Sequence, residues 1–296
     1  MNKKASFYKF ILILILSDAF FMSCGLDTLL FVDPPPQSYN SSLADGADFT
    51  DFYCAFQTIN SSDEIYSGTD IYYKIYNSID TLNSERNSIT SSNTDNYLDN
   101  LITKLQTTYS YQRLLSGVVY DGKMYLDSND RFVSKESGQA AVEFRVHTYN
   151  KSEDILYMAH IVSSGGNSSE LSERTYRIFE IDSLSFTNSI LEFDETQQVY
   201  KRSGTNEVLG TDFLLAQPIR YNNKTTFDFF DDYETDNDFN VEPVNEVDSD
   251  FRYTSSGSTD SYYVQFFAIS VGWDTINLKE IYSLVLDLGS VPITKS

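Results

Sequence analysis

Short segments in which every second residue is apolar or aromatic recur along this chain, and they constrain its fold more than any other feature. The clearest examples are residues 52–57 and 71–76. A period of two places alternate side chains on opposite faces of a β-strand, and the abundant Tyr, Phe and Ile favour strands. Further strands are predicted at 118–120, 123–126, 141–149, 155–162, 176–181, 190–193, 198–201, 213–219, 262–271 and 281–288. The chain is therefore predicted to be mainly β.

One turn is predicted with particular clarity. Asp121 and Gly122 separate two alternating segments, and Asp-Gly accepts the positive φ angles that a two-residue hairpin turn needs. The stretch Gly117 to Lys123 also has the glycine and lysine spacing of a phosphate-binding loop. Met124, however, stands where that loop would carry a Ser or Thr for magnesium. A β-hairpin is therefore the prediction.

One stretch shows helical periodicity. Apolar residues recur at helical spacing from Tyr97 to Tyr109, which predicts one amphipathic helix near residues 95–110 that packs on a sheet. The preceding residues 81–96 are predicted to form a loop, because 11 of these 16 residues are Ser, Thr or Asn.

Acidic residues dominate the charge, with a formal net charge of −22. Binding to the nucleic-acid backbone is therefore not expected, because it depends on cationic side chains. The segment 228–250 holds ten acidic residues and no Lys or Arg, and it is predicted to be an exposed loop. Asp232, Glu234, Asp236 and Asp238 place a carboxylate at every second residue there, and they are candidate calcium ligands.

Residue patterns indicate no catalytic residue and no cofactor. The two histidines of the chain, His147 and His160, have no accompanying nucleophile motif or zinc-ligand spacing. Tyr72 and Tyr76 lie on the strand face opposite Ile71, and if exposed they would be candidate interaction residues. The chain has too many carboxylates for sequence to select an acid–base pair for glycan hydrolysis.

The amino terminus has the features of a secretory leader. Lys3, Lys4 and Lys9 precede the apolar run Phe10 to Leu16, and Ser23 directly precedes Cys24. This arrangement resembles the leader of bacterial lipoproteins, with a loosened cleavage motif similar to that of spirochaete lipoproteins. The resemblance implies removal of residues 1–23, acylation of Cys24 and a Pro-containing tether over residues 24–48. A membrane would then be contacted through the acyl chains on Cys24.

The first and last strongly alternating segments are GTDIYYKIYN at 68–77, YYVQFFAISVG at 262–272 and KEIYSLVLDLG at 279–289. They resemble strands of an immunoglobulin-like or fibronectin type III-like sandwich. The resemblance implies an antiparallel sandwich formed by residues 49–80 plus 258–296. Residues 81–257 would then form a helix-containing, β-rich insertion that includes the acidic loop 228–250.

Three hypotheses for function follow. The first is a lipid-anchored protein of a bacterial envelope, most simply in the outer membrane, that binds a protein or glycan ligand without catalysis. The second is an envelope hydrolase that acts on glycans, with carboxylates as acid and base. The third is a structural lipoprotein of the envelope.

Overall fold

Strands dominate the protein, which confirms the mainly β prediction. The computed structural model describes residues 32–36, 53–59, 64–94, 98–127, 131–135, 140–145, 149–150, 155–156, 161–164, 174–220, 227 and 246–294. The leader, Cys24 and residues 232–238 lie outside these ranges. The described residues from Val32 onward belong to one structural unit.

The strands and helices of the described residues, in chain order, are as follows. The first nine strands are β1 (Tyr53–Gln57), β2 (Tyr66–Tyr76), β3 (Gln112–Arg113), β4 (Leu115–Tyr120), β5 (Lys123–Leu126), β6 (Val133–Ser134), β7 (Ala140–Arg145), β8 (Tyr149–Asn150) and β9 (Ile155–Leu156). The other nine are β10 (Ile161–Ser164), β11 (Arg174–Glu180), β12 (Ser185–Asp194), β13 (Val199–Arg202), β14 (Phe213–Leu215), β15 (Gln217–Ile219), β16 (Phe251–Arg252), β17 (Ser261–Asp274) and β18 (Lys279–Thr294). The helices are α1 (Ile79–Ser91) and α2 (Leu98–Thr103), and a π-helical turn (Lys104–Thr108) continues α2.

Strand β2, from the first third of the chain, and the last two strands lie in one sheet. Strand β2 pairs antiparallel with β17, and β17 pairs antiparallel with β18. Short strands β3, β6 and β16 also pair with β2, so the middle of the chain contributes to this central sheet. The meeting of the two chain ends is as predicted, while the immunoglobulin-like strand arrangement and the division into sandwich and insertion stay predictions.

Both faces of the central sheet are buried. One face packs Ile71, Phe266 and Leu288 together with Phe56 of β1 and Val142 of β7, which belong to a second, larger antiparallel sheet. The opposite face packs against the helices. The fold is therefore layered as sheet, central sheet and helices, a common way to bury two sheet faces.

The prediction that residues 81–96 form a loop is wrong, because α1 covers most of them. Ser78 is the N-cap, and its hydroxyl accepts a hydrogen bond from the Thr81 backbone N–H at 3.3 Å. Leu82 and Ile89 are both fully buried in the core on the helix side of the central sheet. Capping and burial of two apolar residues therefore outweigh the low helix propensity of the Ser, Thr and Asn residues.

The helix predicted near 95–110 is present as α2 and its π-helical continuation. Its residues Leu101, Ile102 and Leu105 are buried in the same core as Leu82. The prediction of a single helix is nevertheless wrong, because α1 precedes it. Two helical segments rather than one cover the central sheet.

The predicted Asp-Gly hairpin is confirmed. Strands β4 and β5 pair antiparallel across Asp121 and Gly122, whose φ angles are 50° and 68°. Both residues adopt the left-handed conformation that this two-residue turn requires. The segment from Gly117 to Lys123 is therefore strand and turn, and it does not open a helix as a phosphate-binding loop would.

The larger sheet follows the order β1-β7-β10-β11-β12-β13, with β14 paired to β11, and a small sheet follows β15-β4-β5. Phe179 of β11 contacts Tyr125 of β5, with ring centroids 4.9 Å apart, so aromatic packing joins the two sheets. No helix within the described ranges is long and apolar enough to cross a membrane.

Candidate functional site

A row of polar side chains crosses the face of β2 that the helices cover. Asp70, Tyr72, Lys74 and Tyr76 alternate along the strand, so they share one face, while Ile71, Tyr73 and Ile75 face the other core. All four are buried, with exposed fractions of 4% or less. This polar row contains several buried ionisable groups, which makes it a candidate functional site.

Lys74 is held by groups from the helix layer. Its ammonium nitrogen donates to Glu85 Oε2 of α1 at 2.9 Å and also donates to the backbone carbonyl of Tyr109. The Tyr76 hydroxyl donates to the same Glu85 oxygen at 2.9 Å and lies 3.0 Å from the Tyr111 hydroxyl. Burial lowers the pKa of Lys74, against the raising effect of Glu85. The cluster therefore ties α1 to the sheet through one buried ion pair.

Asp70 lies at the other end of the row, between two arginines. Arg131 Nη1 donates to Asp70 Oδ2 at 3.0 Å, and Arg113 lies 3.8 Å from the same oxygen. The Arg131 guanidinium also donates to Glu280 of β18. Burial raises the pKa of Asp70, although both arginines oppose the shift.

The pKa of Glu280 moves in the opposite direction. Partial burial favours its protonated form, but hydrogen bonds from Tyr282 and Arg131 outweigh this effect and lower the pKa. Two carboxyls with pKa values displaced in opposite directions are typical of acid–base catalysis. Asp70, however, is fully buried beneath Arg131, so it cannot reach a glycosidic oxygen. The arrangement serves to hold β18 and the Arg131 segment against β2.

A third buried ion pair lies on the opposite face of β2. Arg220 donates to Asp250 through Nε and Nη2, both at 3.0 Å, and the Tyr73 hydroxyl donates to Asp250 Oδ2 at 2.7 Å. Arg220 and Asp250 are 0% and 2% exposed. This pair corrects the prediction that 228–250 is exposed throughout. Its last residue is buried, because an arginine distant in sequence supplies the partner that the segment lacks locally.

The expectation that Tyr72 and Tyr76 are exposed is wrong. They are 4% and 0% exposed, because the helices and the Tyr111 segment cover their face of the sheet. The Tyr72 hydroxyl accepts a hydrogen bond from the Gln106 side chain at 2.8 Å. Both tyrosines therefore act within the core and offer no surface to a ligand.

The described residues contain no group of three or more His, Cys, Asp or Glu side chains arranged to hold a metal ion. The candidate calcium ligands Asp232, Glu234, Asp236 and Asp238 lie outside those residues, so that hypothesis stays a prediction. The acylation site predicted at Cys24 also lies outside them.

The most unusual surface feature is the tip of the β17–β18 hairpin, residues 273–278. Trp273, Ile276 and Leu278 are 43%, 68% and 72% exposed. The alternating segments 262–271 and 281–288 predict the two strands that flank this tip. The signal was available, since large apolar residues occupy turn positions where polar residues and glycine are usual.

Comparison with known proteins adds no identification, since no family model, curated protein or solved structure matches the chain.

Proposed function

We propose that this chain is a lipid-anchored protein of a bacterial envelope that acts as a non-catalytic binding module for a protein or glycan. The observation that carries the proposal is the amino-terminal sequence. Three lysines, a short apolar run and a small residue directly before Cys24 together match the leader of a bacterial lipoprotein. Acyl chains on Cys24 would hold the β-rich body at a bilayer surface, most simply that of the outer membrane.

The arrangement of charged groups in the described body supports a binding role over catalysis. The strongly buried carboxylates Asp70 and Asp250 are engaged by arginines, and Lys74 is engaged by Glu85. Each group connects separate elements of the fold. Their geometry is that of structural ion pairs, which hold a rigid scaffold whose loops are free to vary.

Cell fractionation tests the anchor. The wild-type chain is expected in the membrane fraction, and the Cys24→Ser variant in the soluble fraction. Cys54→Ala is the matched control, and it should remain with the membranes. Equal distribution of the wild type and Cys24→Ser would contradict the proposed anchor.

A sedimentation assay separates binding from hydrolysis. The mature chain is incubated with insoluble envelope glycan, and both the retained protein and the newly formed reducing ends are measured. Retention of the protein on the glycan without new reducing ends supports a binding module. Reducing ends that accumulate with time would instead favour the glycan hydrolase.

A further inference from the structure

The tip of the β17–β18 hairpin presents an apolar surface on an ordered backbone. Asp274 Oδ1 accepts hydrogen bonds from the backbone N–H groups of Ile276 and Asn277, at 2.8 and 3.0 Å. Asp274 Oδ2 accepts another from the Asn277 side chain at 2.7 Å. The turn therefore holds the Ile276 and Leu278 side chains outward in a defined conformation.

Leucine is unfavourable at position 278 for two reasons. Its φ angle is 52°, in the left-handed region that Gly and Asn tolerate better than leucine. Its side chain is also 72% exposed to water. Asn or Gly would avoid both costs without losing a buried contact. Leu184 in another hairpin turn has the same φ angle, so it is the clustering of Leu278 with the exposed Ile276 and Trp273 that points to a contact made outside the folded chain.

We propose that this tip inserts Trp273, Ile276 and Leu278 into the interfacial layer of a bilayer whose headgroups are zwitterionic and carry no net charge. Trp favours the interface between lipid and water, and the free energy falls when exposed Ile and Leu side chains leave water. The four turn residues 275–278 are Thr, Ile, Asn and Leu and carry no charge. The adjacent Asp274 carboxylate is 3% exposed and is hydrogen-bonded within the turn. The chain's net charge of −22 opposes approach to an anionic surface.

Chain length favours lipid as the partner. The proposal deepens the proposed function, since it rests on acylated Cys24 to keep the body near a bilayer. Seven residues lie between Cys24 and Val32, which is 4% exposed, so the eight Cα–Cα steps that join them span at most about 29 Å. The tether therefore keeps the body close to the membrane, where a weak second contact is enhanced by a high effective concentration.

The tether is also linked to the tip through a short stretch of chain. The Pro36 carbonyl accepts a hydrogen bond from Gln57 N–H, and the Ile65 carbonyl accepts one from Trp273 N–H. Seven residues lie between Gln57 and Ile65, so the chain between these two residues again spans at most about 29 Å. Three side chains are too few for a stable protein interface, which buries roughly 800 Å² on each partner. They are sufficient as a second contact for a protein that is already tethered.

Trp273 is the one tryptophan of the chain, so its fluorescence reports directly on the tip. The test uses the mature chain with Cys24→Ser and, separately, the membrane-purified protein reconstituted in phosphatidylcholine vesicles. Transfer of Trp273 into lipid should shift its emission to shorter wavelength. The shift should be at least as large with phosphatidylcholine as with phosphatidylglycerol vesicles. An unchanged spectrum in both preparations, or a shift with anionic vesicles alone, would overturn the proposal.

Substitutions identify the residues responsible. Ile276→Asn with Leu278→Asn should lower the vesicle partition coefficient about tenfold, equivalent to about 1.4 kcal/mol. Leu184→Asn is the matched control, because Leu184 has the same φ of 52° and is 49% exposed in another hairpin turn. It should leave partitioning unchanged, and equal loss in both variants would overturn the assignment to this tip.

Stability measurements separate lipid binding from a structural role. Leu278→Asn alone should leave the melting temperature unchanged or raise it, because Asn adopts positive φ more readily. A lowered melting temperature would show that Leu278 serves the fold, and it would overturn the proposal. A Trp273 shift that occurs with an added envelope protein but not with vesicles would assign the tip to a protein partner instead. Intact mass tests the Cys24 anchor separately, so the two proposals can fail independently.

Discussion

Individual buried residues form ion pairs that connect parts of this chain separated in sequence. Lys74 of β2 forms an ion pair with Glu85 of α1. Asp70 pairs with Arg131, and Asp250 pairs with Arg220. Such pairs add little net stability compared with apolar packing, but removing one partner leaves the other charge buried and uncompensated. Single substitutions in these pairs should therefore produce large effects.

Asp70 and Glu280 should give opposite pH dependences. The pKa of Asp70 is raised above its usual value of 3.8, so its contribution to stability is present below pH 3.8 and lost as pH rises through the folded-state pKa. The pKa of Glu280 is lowered, so its contribution is present above its usual value of 4.5 and lost as pH falls through the folded-state pKa.

Urea unfolding of the wild type, Asp70→Asn and Glu280→Gln across this pH range measures both contributions. The stability advantage of the wild type over Asp70→Asn should shrink as pH rises. Its advantage over Glu280→Gln should grow. Parallel curves for the two variants would contradict the opposite displacement of these pKa values.

Arg220→Met should destabilise the fold by about 3–5 kcal/mol, because it leaves the buried carboxylate of Asp250 without its bidentate partner. Arg252→Met is the matched control. Arg252 lies 3.7 Å from Glu85 and its side chain is 58% exposed, so its loss should cost about 0–1 kcal/mol. Urea unfolding measures both, and similar losses would show that the Arg220 pair is not effectively buried.

Among the secondary-structure elements, α1 shows most clearly where local sequence misleads. Its 13 residues are rich in Ser, Thr and Asn, which indicate a loop when read locally. The helix forms because Leu82 and Ile89 share a core with aromatic and aliphatic side chains that β2, β17 and β18 supply on one face of the central sheet. That face comes from residues up to about 200 positions away, so no local window contains the decisive contact.

The N-cap of α1 should be measurable by substitution. Ser78→Ala removes the hydroxyl that accepts from the Thr81 backbone N–H, and it should cost about 1 kcal/mol. Ser84→Ala, at an exposed position within the same helix, is the control and should change stability by less than about 0.5 kcal/mol. If the two variants unfold at the same urea concentration, the cap contributes nothing.

Strands were easier to predict than helices, because their alternation of side chains is local. The β4–β5 hairpin is predicted from Asp121 and Gly122 between two alternating segments, and the structure places both residues at positive φ. The burial of the β2 face that carries Tyr72 and Tyr76 is not predicted, for a different reason. Alternation shows that two faces differ, but it does not show that helices cover the second face.

The layered packing of the described residues from Val32 onward holds a strongly acidic chain together. Its central sheet is buried on both faces, by the larger sheet and by the helices. The sequence predicted the mainly β class and the meeting of the two chain ends. It could not predict the layering, which depends on long-range packing. The exposed tip of the β17–β18 hairpin would not have been found by searching for catalytic motifs.

Intact mass of the protein purified from membranes tests the proposed anchoring most directly. The account predicts a chain that begins at Cys24, with residues 1–23 removed and with added mass that maps to an acylated Cys24 in the amino-terminal peptide. A chain that begins elsewhere, or one with an unmodified Cys24, would contradict the proposal that this is a lipid-anchored envelope protein.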